Sequence, residues 1–167
     1  MATATYDKIA TTTLGSTTAS ITFSSIAASW TDLRLVITGT STAVGGFVLF
    51  IKTNGATSGY SNTSLSGNGS SASSFTQTSQ TSMYGSAFLS FSTTIPIFHT
   101  LDFLSYAGST YKTVLITANG DKNGSGVVEL NVALWQSTAA ITSINLSPGT
   151  DSFLTGTTAT LYGIKAA

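Results

Sequence analysis

The sequence predicts an all-β fold, a single jelly-roll-like antiparallel β-sandwich of about 8–10 strands that occupies residues 1–167. Three observations carry the prediction. Short segments alternate apolar and polar residues, turn residues separate them, and no segment has the 3, 4, 7 apolar spacing of a helix. About a third of the residues are Ser or Thr, but 41% are hydrophobic and 10% aromatic, so the chain should fold rather than stay disordered.

The individual strands are predicted from the N-terminus onward. Alternation around Ile21 and Phe23, and again from Leu33 to Thr38, is typical of half-buried strands. The stretch GFVLFIK at 46–52 is apolar on both faces, which favours a central strand. Further strands are predicted at residues 83–91, 97–106, 111–118, 127–135, 140–146 and 157–164.

Residues 53–82 are predicted to be a long polar loop region that contains at most two short strands. From Thr53 to Leu101 the chain has no Asp, Glu, Lys or Arg, and the middle of this stretch is rich in Ser, Gly and Asn. Asn119 to Gly124 is the other clear turn signal, since Asn and Gly accept positive φ angles.

Alternation also predicts the core. Ten aliphatic or aromatic side chains occupy the apolar positions of these strands: Ile21, Phe23, Leu33, Leu35, Phe47, Leu49, Leu115, Leu130, Leu134 and Leu161.

Charge and cysteine content exclude several functional classes. Six basic and six acidic residues give a net charge of zero, with no basic run that would hold phosphates or anionic lipid. We therefore expect neither nucleic acid nor a membrane as partner. The absence of cysteine excludes disulfides, thiolate metal sites and cysteine nucleophiles.

Few residues could support catalysis or metal binding. His99, the single histidine, lies three residues before Asp102, and such a spacing places the two on opposite faces of a strand. Asp102 and Glu129 could form an acid pair only by meeting across strands. Asp121 and Asn123 form at most a weak calcium site. We expect no enzyme, no cofactor and no bound metal.

The aromatic residues leave one binding role open, the stacking of a sugar ring. Sugar C–H surfaces stack on aromatic faces, as core and interface side chains also do. The candidates for such a platform are Tyr60, Tyr84, Tyr106, Tyr111, Trp30 and Trp135.

Several segments resemble, in order, a family of small β-sandwich structural proteins of tailed bacteriophages, including cyanophage-like phages. The resemblance is carried by YDKIATTTLGSTTASITFSSI at 6–26, TDLRLVITG at 31–39, NGATSGYSNTSLSGNG at 54–69, TYKTVL at 110–115, LWQSTAAITSINL at 134–146 and FLTGTTATLYGIKAA at 153–167. It implies a virion protein, either a capsid decoration (cement) protein or part of a tail fibre, with no catalytic residues.

The expected function follows from this resemblance and from the uncharged composition. The first expectation is a decoration protein on the outer capsid surface that binds the major capsid protein as a homotrimer. The alternative is a receptor- or glycan-binding domain of a tail appendage, which would bind a host surface glycan. Because the stretch from Thr53 to Leu101 lacks charge, its apolar and aromatic side chains are the predicted interface: Tyr60, Leu65, Phe75 and Tyr84.

Overall fold

The chain folds as a two-sheet antiparallel β-sandwich, which confirms the predicted fold class. The computed structural model describes residues 5–43, 48–89, 91–121 and 123–165, and these contain strands but no helix. The twelve strands are β1 Tyr6–Thr13, β2 Ile21–Phe23, β3 Asp32–Gly39, β4 Phe50–Thr53, β5 Tyr60–Gly67, β6 Ala72–Gln80, β7 Met83–Tyr84, β8 Ile97–Leu104, β9 Lys112–Gly120, β10 Val127–Trp135, β11 Ile144–Ser147 and β12 Thr158–Ile164.

The two sheets differ in size. One has eight strands in the order β1-β12-β3-β8-β9-β10-β5-β6, and the other has four in the order β2-β11-β4-β7. Every pairing is antiparallel. The strand number exceeds the predicted 8–10, and the jelly-roll part of the prediction is not confirmed.

The core lies between the sheets. Leu33, Leu35 and Ile37 of β3 face inward and are fully buried, because alternate side chains of a strand point to the same face. They join one apolar cluster with Ile51 and Leu146 of the smaller sheet. Burial of apolar surface in this cluster is the main source of stability.

The region 53–82, predicted to be a long polar loop with up to two short strands, does contain two strands, but they are long and take up more than half of it. Residues 60–67 and 72–80 form β5 and β6, an antiparallel hairpin that completes one end of the large sheet. Threonine and serine suit a pleated surface on which one side faces water, so a strand can be built here without strong apolar alternation. In contrast, among the described residues of the predicted strand at 83–91, only Met83–Tyr84 form a strand.

Three residues predicted for the core are not buried in it, and a fourth lies outside the described residues. Leu115 and Leu130 are 43% and 56% exposed, and Leu134 is only half-buried. Phe47 falls in the stretch that the structure does not describe. The remaining six residues predicted for the core are buried: Ile21, Phe23, Leu33, Leu35, Leu49 and Leu161.

Candidate functional site

The side of the eight-stranded sheet that faces away from the smaller sheet, here called the outer face, is the most unusual surface of the molecule. Strand register aligns its side chains in three rows that cross all eight strands. The first row is Lys8, Tyr162, Arg34, Asp102, Leu115, Val132, Thr63 and Thr76. The second is Thr11, Thr160, Val36, Thr100, Thr117, Leu130, Leu65 and Ser74, and the third is Thr13, Thr158, Thr38, Phe98, Asn119, Val128, Gly67 and Ala72. Within these three rows, charged side chains occur only in the first; Asp32, two residues before Arg34 on the same face of β3, lies beyond it.

An apolar patch occupies the outer face where β9, β10 and β5 lie side by side. Its residues are Leu65, Leu115, Val128, Leu130 and Val132, which are between 42% and 67% exposed. Leu130 lies directly opposite Leu65, and Val132 directly opposite Leu115, so the five side chains are contiguous. They line a shallow depression of about 420 Å³ and part of a neighbouring one of about 390 Å³. Contiguous exposed patches of this kind mark binding surfaces on soluble proteins.

Hydroxyl side chains lie on the outer face on both sides of the apolar patch. Towards the β6 edge, the Oγ1 atoms of Thr63 and Thr76 are 3.4 Å apart. On the far side, beyond β8 and β3, Thr11 and Thr160 are hydrogen-bonded at 3.1 Å between their Oγ1 atoms. These cross-strand pairs keep much of the remaining outer face polar without charge, so most of it can be desolvated without removing ions from water.

The part of the first row on β12, β3 and β8 carries Tyr162 and an ion pair, and Tyr6 of β1 packs against Tyr162. The Arg34 guanidinium donates to both carboxylate oxygens of Asp102, with Nε at 2.6 Å and Nη2 at 2.9 Å. This hydrogen bond raises the pKa of Arg34 above its ordinary value. Tyr6 stacks on Tyr162 with ring centroids 4.8 Å apart, and burial raises the pKa of Tyr6. Sequence reasoning did not select either tyrosine, because one lies near each end of the chain.

The patch points outward because the other side of β10 is used for polar contacts. Glu129 is buried, and its carboxylate accepts hydrogen bonds from the backbone N–H groups of Ala87, Phe88 and Leu89 at 2.7–2.9 Å. Two neighbouring residues hold the same segment: Asn131 Nδ2 donates to the Gly85 carbonyl, and Asn62 Oδ1 accepts from the Tyr84 N–H. With Glu129 and Asn131 inside, the pleat places Leu130 and Val132 outside.

Three of the four predicted interface residues do not lie on the outer face. Tyr60 is 1% exposed, stacks on Trp135 and places its hydroxyl within hydrogen-bond distance of Thr53, so it cannot contact a partner. Tyr84 is half-buried against Phe50 of the smaller sheet. Leu65 belongs to the apolar patch, whereas Phe75 is half-buried on the inner side of β6, with its ring against Phe88.

The residues considered for catalysis do not converge. His99 faces the core, stacks on Phe91, and has its pKa lowered by burial to about 3. Asp102 faces outward and is paired with Arg34, while Glu129 faces inward, so the two carboxylates lie on opposite faces of the sheet. Asp121 Oδ1 accepts the Gly124 N–H. The described residues contain no cluster of three or more His, Cys, Asp or Glu that could hold a metal ion.

Most of the proposed sugar-stacking residues are also unavailable. Tyr106 is fully buried, and its hydroxyl donates to the Ala27 carbonyl and accepts from the Trp30 N–H. Trp135 is 6% exposed in the core. Tyr111 remains 56% exposed, whereas Trp30 lies half-buried near Lys165.

No protein-family model, curated protein or solved structure matches the chain. Within the described residues, no helix is long and apolar enough to cross a membrane.

Proposed function

We propose that the chain is a non-enzymatic structural protein of a phage virion, which decorates the outer capsid as a symmetric oligomer and contacts the major capsid protein through its outer face. The observation that carries this proposal is the outer face itself, with its apolar patch set among threonine and serine side chains. The family resemblance supplies the identity of the partner.

The outer face is large enough for a stable contact. Eight strands about 4.8 Å apart, each rising about 3.3 Å per residue over about eight residues, span roughly 900 Å². A standard protein interface takes about 800 Å² from each partner. The apolar patch would supply the central contacts, and the hydroxyl rows would supply hydrogen bonds or trapped water at the rim.

Binding to empty heads of the encoding phage tests the proposal. Leu65→Lys and Leu130→Lys place a charge in the centre of the patch, and each should weaken binding at least tenfold because an unpaired ammonium would be desolvated. Ser24→Lys is the matched control, since Ser24 is exposed just after β2 of the smaller sheet. Equal binding by all three variants and the unmodified chain would overturn the outer face as the contact surface.

The alternative function, glycan binding in a tail appendage, is favoured by one observation. Tyr6 is 45% exposed and stacks on Tyr162, close to the Arg34–Asp102 pair. An aromatic face beside bidentate hydrogen-bonding groups suits a sugar ring. A glycan array is the direct measurement: Tyr6→Ala should abolish any signal, and Tyr111→Ala, which removes a more exposed tyrosine elsewhere, should preserve it.

A further inference from the structure

The eight-stranded sheet ends in β6, whose free edge is unprotected along most of its length. β6 pairs with β5, and no other described strand pairs with it. Its sequence, ASSFTQTSQ, has no charged residue and no proline. Most of its residues are exposed. A strand edge of this kind presents unpaired N–H and C=O groups that can pair with another chain.

The opposite edge of the same sheet is protected. β1 carries Asp7 and Lys8, and its pairing with β12 shifts register between Lys8 and Ala10. Charged residues and bulges are the devices by which sheets prevent edge-to-edge association. The sheet therefore has one blocked edge and one open edge.

The end of β6 nearest Gln80 is irregular, which shortens the part of its edge that can pair with another strand. Between Tyr60 and Asn62 the pairing shifts, so that Thr78 and Ser79 together lie opposite Ser61, and Ser79 has a φ of 56°. Gln80 Nε2 donates to the Thr78 carbonyl. These features leave Ala72–Gln77 as a straight, uncharged segment of edge.

An aromatic pair lies beside this segment on the inner side of the sheet. The Phe75 ring contacts the Phe88 ring edge-on, with centroids 6.2 Å apart. Phe88 remains 41% exposed and Phe75 is half-buried, so the pair is incompletely covered at the sheet edge. Backbone pairing at the edge would bring a second apolar surface against it.

We propose that two copies of this chain associate by antiparallel pairing of their β6 edges over residues 73–77, about a two-fold axis normal to the sheet. Phe75 then lies opposite Phe75 of the second copy, and Ser74 lies opposite Thr76. The two eight-stranded sheets become one continuous sheet, with both outer faces on the same side. This inference does not rest on the proposed virion function.

A second copy is the partner that the chemistry of the edge favours. A two-fold axis normal to the sheet places the outer-face residues of one copy opposite outer-face residues of the other. Such an interface is isologous, so the same edge must be able to pair with itself. β6 meets this requirement because pairing it with itself opposes no like charges. The aromatic pair also finds its own equivalent across the axis, so Phe75 and Phe88 are covered in both copies.

Light scattering of the purified chain, coupled to size-exclusion chromatography, tests the association. We expect a dimer for the unmodified chain. The S74K/T76K variant places lysines directly opposite each other across the axis and should be a monomer, at least tenfold weaker in association. T11K/T13K, which adds the same charge to the blocked edge, should remain a dimer. A monomeric unmodified chain, or two dimeric variants, would overturn the proposal.

Disulfide trapping tests the register, because the chain has no cysteine of its own. Under mild oxidation, an equimolar mixture of S74C and T76C chains should give a covalent dimer, while S74C alone should not. Rapid cross-linking of S74C alone would contradict the Phe75-centred register.

Neither experiment contains phage heads, so their outcomes are independent of shell binding. A dimer that does not bind the heads would overturn the proposed function and leave the edge pairing intact. A monomer that binds them would overturn the edge pairing and leave the contact between the outer face and the capsid intact.

Discussion

His99 illustrates how a single buried residue can make stability depend on pH. Burial lowers its pKa from 6.5 to about 3, and neither ring nitrogen has a hydrogen-bond partner among the described residues. Below about pH 6.5 the unfolded chain binds a proton here that the folded chain does not, so the free energy of unfolding falls as pH falls, down to about pH 3. Between about pH 7.5 and about pH 5 the loss from this residue should be about 2 kcal/mol.

Urea denaturation across this pH range, compared between the unmodified chain and His99→Leu, measures the effect. Leucine is of similar size and cannot bind the proton, so the pH dependence of the variant should be shallower by that amount. Parallel pH profiles would mean that the imidazole is hydrated or paired when folded.

Replacement by alanine should destabilise the protein strongly at Leu35 and hardly at all at Leu130. Leu35 is fully buried, and Leu35→Ala should lower the free energy of unfolding by about 2–5 kcal/mol because it leaves a cavity. Leu130 is 56% exposed, and Leu130→Ala should change that free energy by less than about 0.5 kcal/mol. Chemical denaturation of both variants checks the prediction; equal losses would place Leu130 in the core.

At the scale of elements, Glu129 links β10 to the segment that follows β7. Its carboxylate accepts three backbone N–H groups, from Ala87, Phe88 and Leu89. Glu129→Gln replaces one of the two acceptor oxygens by a donor, and we expect a loss of about 2–4 kcal/mol in the free energy of unfolding. Hydrogen exchange at these three amides should accelerate more than exchange in β3.

Asp102→Asn is the control for this substitution, since Asp102 and Arg34 form a partly exposed ion pair on the outer face. Removing such a pair should cost at most about 1 kcal/mol. If Glu129→Gln were equally mild, the carboxylate would not be holding the segment.

β10 also shows how far sequence determines the fold and the candidate site. Alternation correctly predicts a strand at 127–135, but both of its faces contain apolar residues. Alternation predicts that Leu130 and Leu134 lie in the core, because their face of the strand is the more hydrophobic one. In the structure the opposite face of β10 is buried, because Glu129 and Asn131 form hydrogen bonds with backbone groups of the segment 85–89 inside the sandwich. Such pairing depends on residues about 40 positions away, which no local pattern reveals.

β3 shows the opposite case. Leu33, Leu35 and Ile37 alternate with Arg34, Val36 and Thr38, and the more apolar set is buried as predicted. Local alternation suffices here because the inner face needs no polar partner. No local pattern predicts that Tyr6 and Tyr162 lie together. They are brought into contact by the pairing of β1 with β12, two strands from opposite ends of the chain.

At the scale of the whole molecule, the distribution of charge predicts how association responds to salt. The open edge of β6 and the apolar patch contain no charged side chain. Screening between about 50 mM and about 500 mM salt should therefore change the affinity of the contact between β6 edges less than about threefold. Titrations at the two salt concentrations measure this, and a loss of tenfold or more would show that ion pairs drive association.

The order of strands in the large sheet bears on synthesis of the chain. The first three strands do not pair with one another: β1 pairs with β12, β2 with β11, and β3 with β8 and β12. After Gly39 emerges from a ribosome, about 60 more residues must follow before β8 can pair with β3, roughly 3–12 s at 5–20 residues per second. The β5–β6 hairpin can form earlier, because its pairing is local. β1, with three threonines and two charged residues, is readily hydrated during this wait, whereas β3 must keep Leu33, Leu35 and Ile37 exposed to water until its partner strands emerge.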